Sequence, residues 1–173
     1  MSAPFRLFAD KSGNAAVEMA LILPLLLALL FGSVEISNYF YDEHVLVQAV
    51  RDGARFAARQ DMANFVSCSG SPGGTVVADT TNMVENGLLS GGTPRFPMTG
   101  ATITVTTSCT SSVGATTMGG IYNDVTNASG SAVGAPIVTV SATVPYRPVL
   151  AAFGFATVGL DVYAAEQAAV DGW

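Results

Sequence analysis

Residues 13–34 read Gly-Asn-Ala-Ala-Val-Glu-Met-Ala-Leu-Ile-Leu-Pro-Leu-Leu-Leu-Ala-Leu-Leu-Phe-Gly-Ser-Val and form an almost uncharged apolar run. The run from Asn14 to Val34 contains a single charged residue, Glu18. As a helix it is about 31 Å long, enough to cross a hydrocarbon core about 30 Å thick. A carboxylate at bilayer depth costs roughly 2 to 4 kcal/mol on insertion scales. Because a simple anchor gains nothing from this cost, we expect Glu18 to have a function. The sequence therefore predicts a transmembrane segment at 14–34 whose one acidic residue does more than anchor the chain.

Three kinds of segment share this composition: a cleaved secretory signal, a permanent anchor and a pilin-type stem. A secretory signal needs small residues at positions −3 and −1 of a cleavage site that follows the apolar run. Neither candidate position meets this requirement, because Phe31 lies two residues before Ser33 and Leu30 lies two residues before Gly32. A permanent anchor and a pilin-type stem both remain open.

The charges around the apolar run predict its orientation. Arg6 and Lys11 precede it, whereas the first charged residues after it are the acidic Glu35 and Asp42. By the positive-inside rule the amino terminus stays in the cytoplasm and residues 35–173 are exported. The whole chain has 7 basic and 13 acidic residues and a formal net charge of −6 at pH 7. This balance argues against electrostatic binding of nucleic acid.

Helical periodicity continues after the apolar run, from Glu35 to Val66, without a proline. We therefore expect one helix from Asn14 to Val66, with its exported part packed against a globular body. A stripe of apolar residues at 100° per residue is expected to make that contact. Its members are Ile36, Tyr39, Phe40, Leu46, Val47, Val50, Ala54, Ala57, Ala58 and Phe65.

Three arginines, Arg51, Arg55 and Arg59, follow one another at a spacing of four residues along the flank of this stripe. Residues at this spacing lie on the same face of a helix. Two interpretations are open: a solvated edge whose charge is balanced by Asp52 and Asp61, or a contact with another subunit.

The remaining chain is rich in glycine, serine and threonine and predicts a small sheet. A short helix is expected at Val76–Leu89. Alternating apolar residues predict strands at Ala101–Thr107, at Val138–Tyr146 and from Val158 through Ala169, and Ser111–Gly134 is expected to be a long surface loop. The connections contain no clear crossover helix, so the sheet should be antiparallel. The predicted class is α+β, with a long transmembrane and amphipathic helix packed on a small antiparallel sheet.

The two cysteines, Cys68 and Cys109, both belong to the exported part. In an oxidising compartment an even pair of cysteines forms a disulfide more often than a metal site or a nucleophile. Closing a loop of about 42 residues would contribute roughly 4 kcal/mol in the chain-entropy model. We expect the bond, with two free thiols as the alternative.

Catalytic chemistry finds little support. The one histidine, His44, lies beside acidic residues on the predicted helix and is best interpreted as a solvated residue. Neither a phosphate-binding glycine loop nor zinc-ligand spacing is present in the sequence. Asn123, Asp124 and Asn127 lack the regular oxygen spacing of calcium loops and fit turns. The sequence therefore predicts a protein that is not an enzyme and binds neither metal nor cofactor.

Two stretches resemble motifs of a known family. Gly13–Pro24 resembles the prepilin motif of type IV pilins, in the form used by the TadE-like minor pilins of tight-adherence (Flp-type) pili. Arg51–Ala58 looks like the Arg-x-Gly-Ala-Arg run of the same family. The resemblance implies a pilin-like fold and cleavage by a prepilin peptidase after residues 1–13. Glu18 would then be the fifth residue of the mature chain.

The chemistry of the residues agrees with cleavage between Gly13 and Asn14. Gly13 offers a protease no side chain to clash with, and cleavage leaves a new amine on Asn14. Glu18, on the same or a neighbouring helix, can pair with that amine, and opposite charges attract strongly at the edge of an apolar medium. A pair between subunits would fix their axial register. The alternative is that Glu18, about 6 Å along the helix from Asn14, reaches the headgroups and has no partner.

Pro24 lies inside the predicted spanning helix. It removes one backbone hydrogen bond and obstructs the preceding turn. We expect a helix kink at this position.

For function, the resemblance implies a minor pilin or pseudopilin that takes part in the assembly or initiation of a tight-adherence pilus. The implied partners are the prepilin peptidase, other minor pilins, the major pilin, the inner-membrane assembly platform and the lipid bilayer. The implied location is the bacterial inner membrane, as a single-pass protein with its exported domain in the periplasm or in a surface pilus. The alternative is a permanently anchored binding or adhesion module whose loop at 111–134 recognises a partner.

Overall fold

The computed structural model describes residues 14–68, 70–96, 99–110, 112–113, 116–117, 120–122, 125–126, 129–130, 133–154 and 159–172. These residues form two compact units. The first unit contains 14–39 and 148–154, and the second contains 40–147 and 159–172. The expected leader at 1–13, and Gly13 with it, lies outside the described residues.

The first element is helix α1, Asn14–Ala58, which has 45 residues. Alanine and leucine dominate its first half, and both are strong helix formers. The helix continues without interruption through Pro24. Proline has no N–H, so the carbonyl of Ala20 receives no hydrogen bond from residue 24. The long N-terminal helix expected from the sequence is thus present.

Helix α1 ends at Ala58, well before the expected end at Val66. The Ala58 carbonyl accepts hydrogen bonds from the backbone amides of Asp171 and Gly172 at 2.9 and 3.2 Å. A continuing helix would use this carbonyl for the amide of Met62. The expectation of a helix through Val66 was wrong, because a segment from the far end of the chain occupies the last helical carbonyl.

In the second unit, the buried face of α1 consists of residues three and four apart, as in any helix that packs along one side. They are Leu46, Ala49, Val50, Gly53, Ala54, Ala57 and Ala58. Ile36 and Phe40, which were expected on this face, are 59% and 60% exposed. The stripe therefore begins at Leu46.

Helix α2, Val76–Asn86, packs through the buried residues Val76, Thr80 and Val84. It ends slightly earlier than the expected Leu89, because Gly87 adopts a left-handed backbone with φ of 71° and its amide bonds the carbonyl of Met83 at 2.9 Å. A glycine in this conformation is a common helix terminator.

The strands are β1 (Thr102–Thr110), β2 (Ser112–Val113), β3 (Thr116–Thr117), β4 (Ala135–Pro145) and β5 (Asp161–Ala169). A three-stranded antiparallel sheet has the order β1-β4-β5, and β2 pairs with β3 in a short hairpin. The predicted α+β class and the antiparallel sheet are confirmed.

Within the region expected to be a loop, the described residues also contain a 3-10 helix at Gly120–Tyr122. Two further 3-10 helices lie at Met62–Asn64 and Val149–Phe153. Asn123, Asp124 and Asn127 lie outside the described residues.

The sheet has one buried and one accessible face. Val105 pairs with Val140 on the buried face, and Ala142 pairs with Ala164. The opposite face of β1 carries only threonine and serine, and Tyr163 on β5 is 63% exposed. The alternation of apolar and polar residues along each strand therefore indicates which side of the strand faces the core.

Candidate assembly region of the N-terminal helix

From Ala15 to Leu30, every residue of helix α1 is exposed. Leu21 is 76% exposed and Leu29 is 64% exposed. An 18-residue window of the helix has a mean hydropathy of 2.3, and within the described residues none of it is buried. The core helix of a soluble domain would be buried, whereas this exposed apolar surface suits contact with lipid or with other apolar helices. By length and composition α1 is a candidate membrane anchor.

Large exposed apolar residues occur in every turn of the helix between Val17 and Val34. They are Val17, Met19, Leu21, Ile22, Leu23, Leu25, Leu26, Leu27, Leu29, Leu30 and Val34.

Glu18 lies on this apolar surface, one turn after Asn14, the first helical residue. Its side chain is exposed. Within the part of the chain that the structure describes, no hydrogen bond or ion pair involves it.

Glu35 directly follows the C-terminal end of the apolar run. Its Oε2 accepts a hydrogen bond of 3.0 Å from the backbone amide of Leu150, in the 3-10 helix at Val149–Phe153. Both residues belong to the first unit. The bond joins positions 115 residues apart, and no local pattern could have predicted it.

The three arginines have different surroundings. Arg51 Nε lies 4.0 Å from Glu166 Oε1, with side chains 49% and 40% exposed. Such a pair contributes at most about 1 kcal/mol. Arg55 and Arg59 are exposed, and among the described residues neither side chain forms an ion pair or a hydrogen bond.

The two carboxylates expected to balance these arginines have other partners. Asp52 Oδ2 accepts a hydrogen bond of 3.0 Å from Arg95 Nη1. Asp61 Oδ1 accepts one of 2.9 Å from the amide of Ala63 and caps the 3-10 helix there. No ion pair among the described residues connects either carboxylate to Arg51, Arg55 or Arg59.

Gly53 has a packing role that the periodicity did not reveal. A Cβ atom built on Gly53 would overlap Cγ2 of Val84 and lie 3.5 Å from Cγ2 of Thr80. The absence of a side chain therefore lets α2 approach α1 closely. The Arg-x-Gly-Ala-Arg run was the available signal, since it places a glycine and an alanine between two exposed arginines.

Cys68 and Cys109 form a disulfide with a sequence separation of 41, as expected from the sequence. The bond joins the region after the 3-10 helix at Met62–Asn64 to strand β1. Cys68 has a φ of 56°, in the left-handed region, which costs a residue other than glycine roughly 1 to 2 kcal/mol. The bond thus holds the chain in a conformation that it would not adopt alone.

Asp42 is a half-buried carboxylate in the second unit. Desolvation by burial raises the pKa of Asp42 above its ordinary value. It shares a small pocket with apolar residues and one arginine: Leu46, Phe96, Val144, Pro145, Val162 and Arg147.

The side chains that could support metal or acid–base chemistry are dispersed. His44 Nε2 lies 2.8 Å from Gln48 Nε2, one turn further along α1. In the part of the chain that the structure describes, no group of three histidine, cysteine or acidic residues could hold a metal ion.

Residues 13–55 match the profile of the TadE-like protein family. The match includes the apolar part of α1, Glu18 and the run Arg51–Arg55, and it confirms the resemblance. No curated protein and no solved structure matches the chain significantly. The family comprises structural components associated with pili and is not an enzyme family. Over residues 13–55 this chain is similar to the TadE-like protein family.

Proposed function

We propose that this chain is a minor pilin or pseudopilin of a tight-adherence pilus. In this proposal a prepilin peptidase cuts between Gly13 and Asn14, and the mature chain takes part in the initiation or assembly of the fibre. One observation supports the proposal most strongly: the TadE-like match includes helix residues 15–30, all of which are exposed and only one of which, Glu18, is charged.

An exposed apolar helix suits a protein that exists in two surroundings. Before assembly, lipid tails cover the side chains between Val17 and Val34. In a fibre, the corresponding helices of neighbouring subunits cover them. Both environments are apolar, so moving the helix from one to the other requires little change in its own surface.

Glu18 supplies the specificity that apolar contacts lack. Leaving a lone carboxylate in lipid is costly, but pairing it with the amine of Asn14 on an adjacent subunit removes much of the penalty. At about 4 Å and an effective dielectric constant of about 20, such a pair attracts by about 4 kcal/mol. An axial slip by one helical turn, about 5.4 Å, would separate the two charges, so the pair restricts the register between subunits.

The second unit is then the exported body, in the periplasm or on the pilus. A disulfide belongs to such an oxidising location. Arg55 and Arg59, exposed and without ion pairs among the described residues, are our candidates for contact with other minor pilins. The remaining partners in the proposal are the major pilin and the inner-membrane assembly platform.

Substitution of Glu18 tests the proposal in cells that make these pili. Glu18→Ala and Glu18→Gln should both leave the protein inserted in the membrane at normal abundance and abolish fibres. Met19→Ala, at an adjacent residue that is 60% exposed, is the matched control and should leave fibres intact. Normal fibres in both Glu18 variants would contradict the register role and favour a permanently anchored binding module.

A further inference from the structure

The first unit contains a second piece of chain besides the apolar helix. Residues 148–154 read Pro-Val-Leu-Ala-Ala-Phe-Gly and belong to the same compact unit as residues 14–39. The segment contains no charged side chain and forms the 3-10 helix Val149–Phe153. The resemblance to pilins implies no role for residues 148–154.

The hydrogen bond to Glu35 fixes the level of this segment along the helix. Glu35 directly follows the apolar run 14–34, so its carboxylate lies at the outer boundary of the hydrocarbon layer when that run spans the bilayer. The amide of Leu150 donates to it at 3.0 Å. The segment therefore lies at the depth where acyl chains meet headgroups.

Three backbone amides of the segment, those of Leu150, Ala151 and Gly154, have hydrogen-bond acceptors. The amide of Ala151 donates to the carbonyl of Pro148 at 3.2 Å, and the amide of Gly154 donates to the carbonyl of Ala151 at 3.1 Å. Without Glu35, the Leu150 amide would need another acceptor, because the first amides of a helix have no intrahelical partner. A backbone with these bonds can enter an apolar layer at lower cost.

Val149, Leu150 and Ala151 of the segment have side chains that can make an apolar contact. Val149 is 39% exposed, Ala151 is exposed and Leu150 is half-buried. On the neighbouring helix, Ile36 is 59% exposed, directly after Glu35. These residues continue the exposed apolar surface of the spanning helix past its outer end.

We propose that residues 148–154 lie in the outer interfacial layer of the bilayer and form a second membrane contact, held against the anchor helix by Glu35. The occupant of this surface is lipid rather than another protein, because the surface is continuous with the exposed apolar helix in the same unit. The proposal rests on the membrane anchor alone and requires neither peptidase cleavage nor fibre assembly.

Fluorescence quenching by lipid tests this contact. The chain has one tryptophan, Trp173, so Trp173→Phe supplies a background without tryptophan emission. In that background Val149→Trp places a reporter on the segment. The purified full-length chain is reconstituted into vesicles whose lipids carry bromine in the upper part of the acyl chains. Leu30→Trp, within the span, is the positive control, and Tyr163→Trp, in the second unit, is the negative control.

We expect loss of emission and a blue shift for Val149→Trp and for Leu30→Trp, and neither change for Tyr163→Trp. Adding Glu35→Ala to Val149→Trp should restore emission, whereas Glu35→Gln, whose amide oxygen still accepts a hydrogen bond, should preserve quenching. Unquenched emission from Val149→Trp, with Leu30→Trp quenched, would overturn the proposal. Because the chain is tested uncut and without other pilins, a failure of the proposed pilus function would leave this result unchanged.

Discussion

Gly53 of α1 and Val84 of α2 approach so closely that a Cβ atom on Gly53 would overlap the Cγ2 atom of Val84. Val84 is fully buried, and valine has a stiff side chain that cannot rotate freely out of the way. The contact between these two helices therefore depends on the glycine in the Arg-x-Gly-Ala-Arg run.

Gly53→Ala should lower the free energy of unfolding. Alanine improves helix propensity by about 1 kcal/mol, but overpacking a close contact costs typically 1 to 3 kcal/mol. We expect a net loss of up to about 2 kcal/mol, which denaturant unfolding of the full chain in detergent would measure. Gly32→Ala is the matched control, because a Cβ atom there meets nothing within 4 Å. If Gly53→Ala proved as stable as Gly32→Ala, the proposed close packing would be wrong.

Loss of the disulfide should destabilise the second unit. Replacing both Cys68 and Cys109 by serine releases a loop of about 42 residues and should cost roughly 4 kcal/mol in the chain-entropy model. The measurement is the shift in denaturation midpoint against the oxidised chain. The wild-type chain under reducing conditions is the control and should match the double variant. An unchanged midpoint in the double variant would show that the bond adds no stability.

Asp42 should make stability depend on pH. Because burial raises the pKa of Asp42, the folded chain binds its proton more tightly than the unfolded chain does. The stabilisation from this protonation is fully present below the ordinary pKa and is lost as pH rises through the raised one. Asp42→Asn should therefore unfold at a higher temperature than wild type at neutral pH, with the difference shrinking in acid.

A control for the Asp42 experiment is Glu43→Gln, which removes one negative charge at the next residue. Thermal melts of the three chains across acid and neutral pH separate the local effect from the change in net charge. A wild-type chain that is more stable than Asp42→Asn at neutral pH would contradict the assigned burial.

Arg55 and Arg59 should matter for assembly and not for folding. Both are exposed and form no ion pair among the described residues, so Arg55→Ala and Arg59→Ala should change the free energy of unfolding by no more than about 0.5 kcal/mol. If they contact another subunit, fibre number should fall. Gln167→Glu, on the exposed face of β5, changes the net charge by the same amount and should leave fibres intact. Wild-type fibre counts in the double variant Arg55→Ala/Arg59→Ala would remove these residues from the interface.

The parts of the fold that sequence predicts are those with local periodicity. Apolar composition predicted the exposed first half of α1, and alternation predicted the three long strands to within a few residues. The contact stripe was predicted less well. Ile36 and Phe40 were included for their hydrophobicity, whereas the buried Ala49 and Gly53 were missed because small residues contribute little to a hydrophobic pattern.

The features that sequence did not predict depend on residues far apart in the chain. The end of α1 at Ala58 is determined by Asp171 and Gly172, and the acceptor for Leu150 is Glu35. Such bonds arise from tertiary structure, and a continuous helical pattern contains no sign of them. The cysteine pair is an exception, since its chemistry indicates a long-range contact directly.

The position of the amino terminus in the mature protein shows whether a prepilin peptidase cuts between Gly13 and Asn14. Mass spectrometry of the chain from cells that make tight-adherence pili should find a mature form that begins at Asn14. Gly13→Leu should leave the uncut chain, and Gly32→Leu, the same substitution within the apolar helix, should still be cut. Recovery of the wild-type chain with residues 1–13 still attached would show that it is not cut between Gly13 and Asn14 and is not a processed pilin.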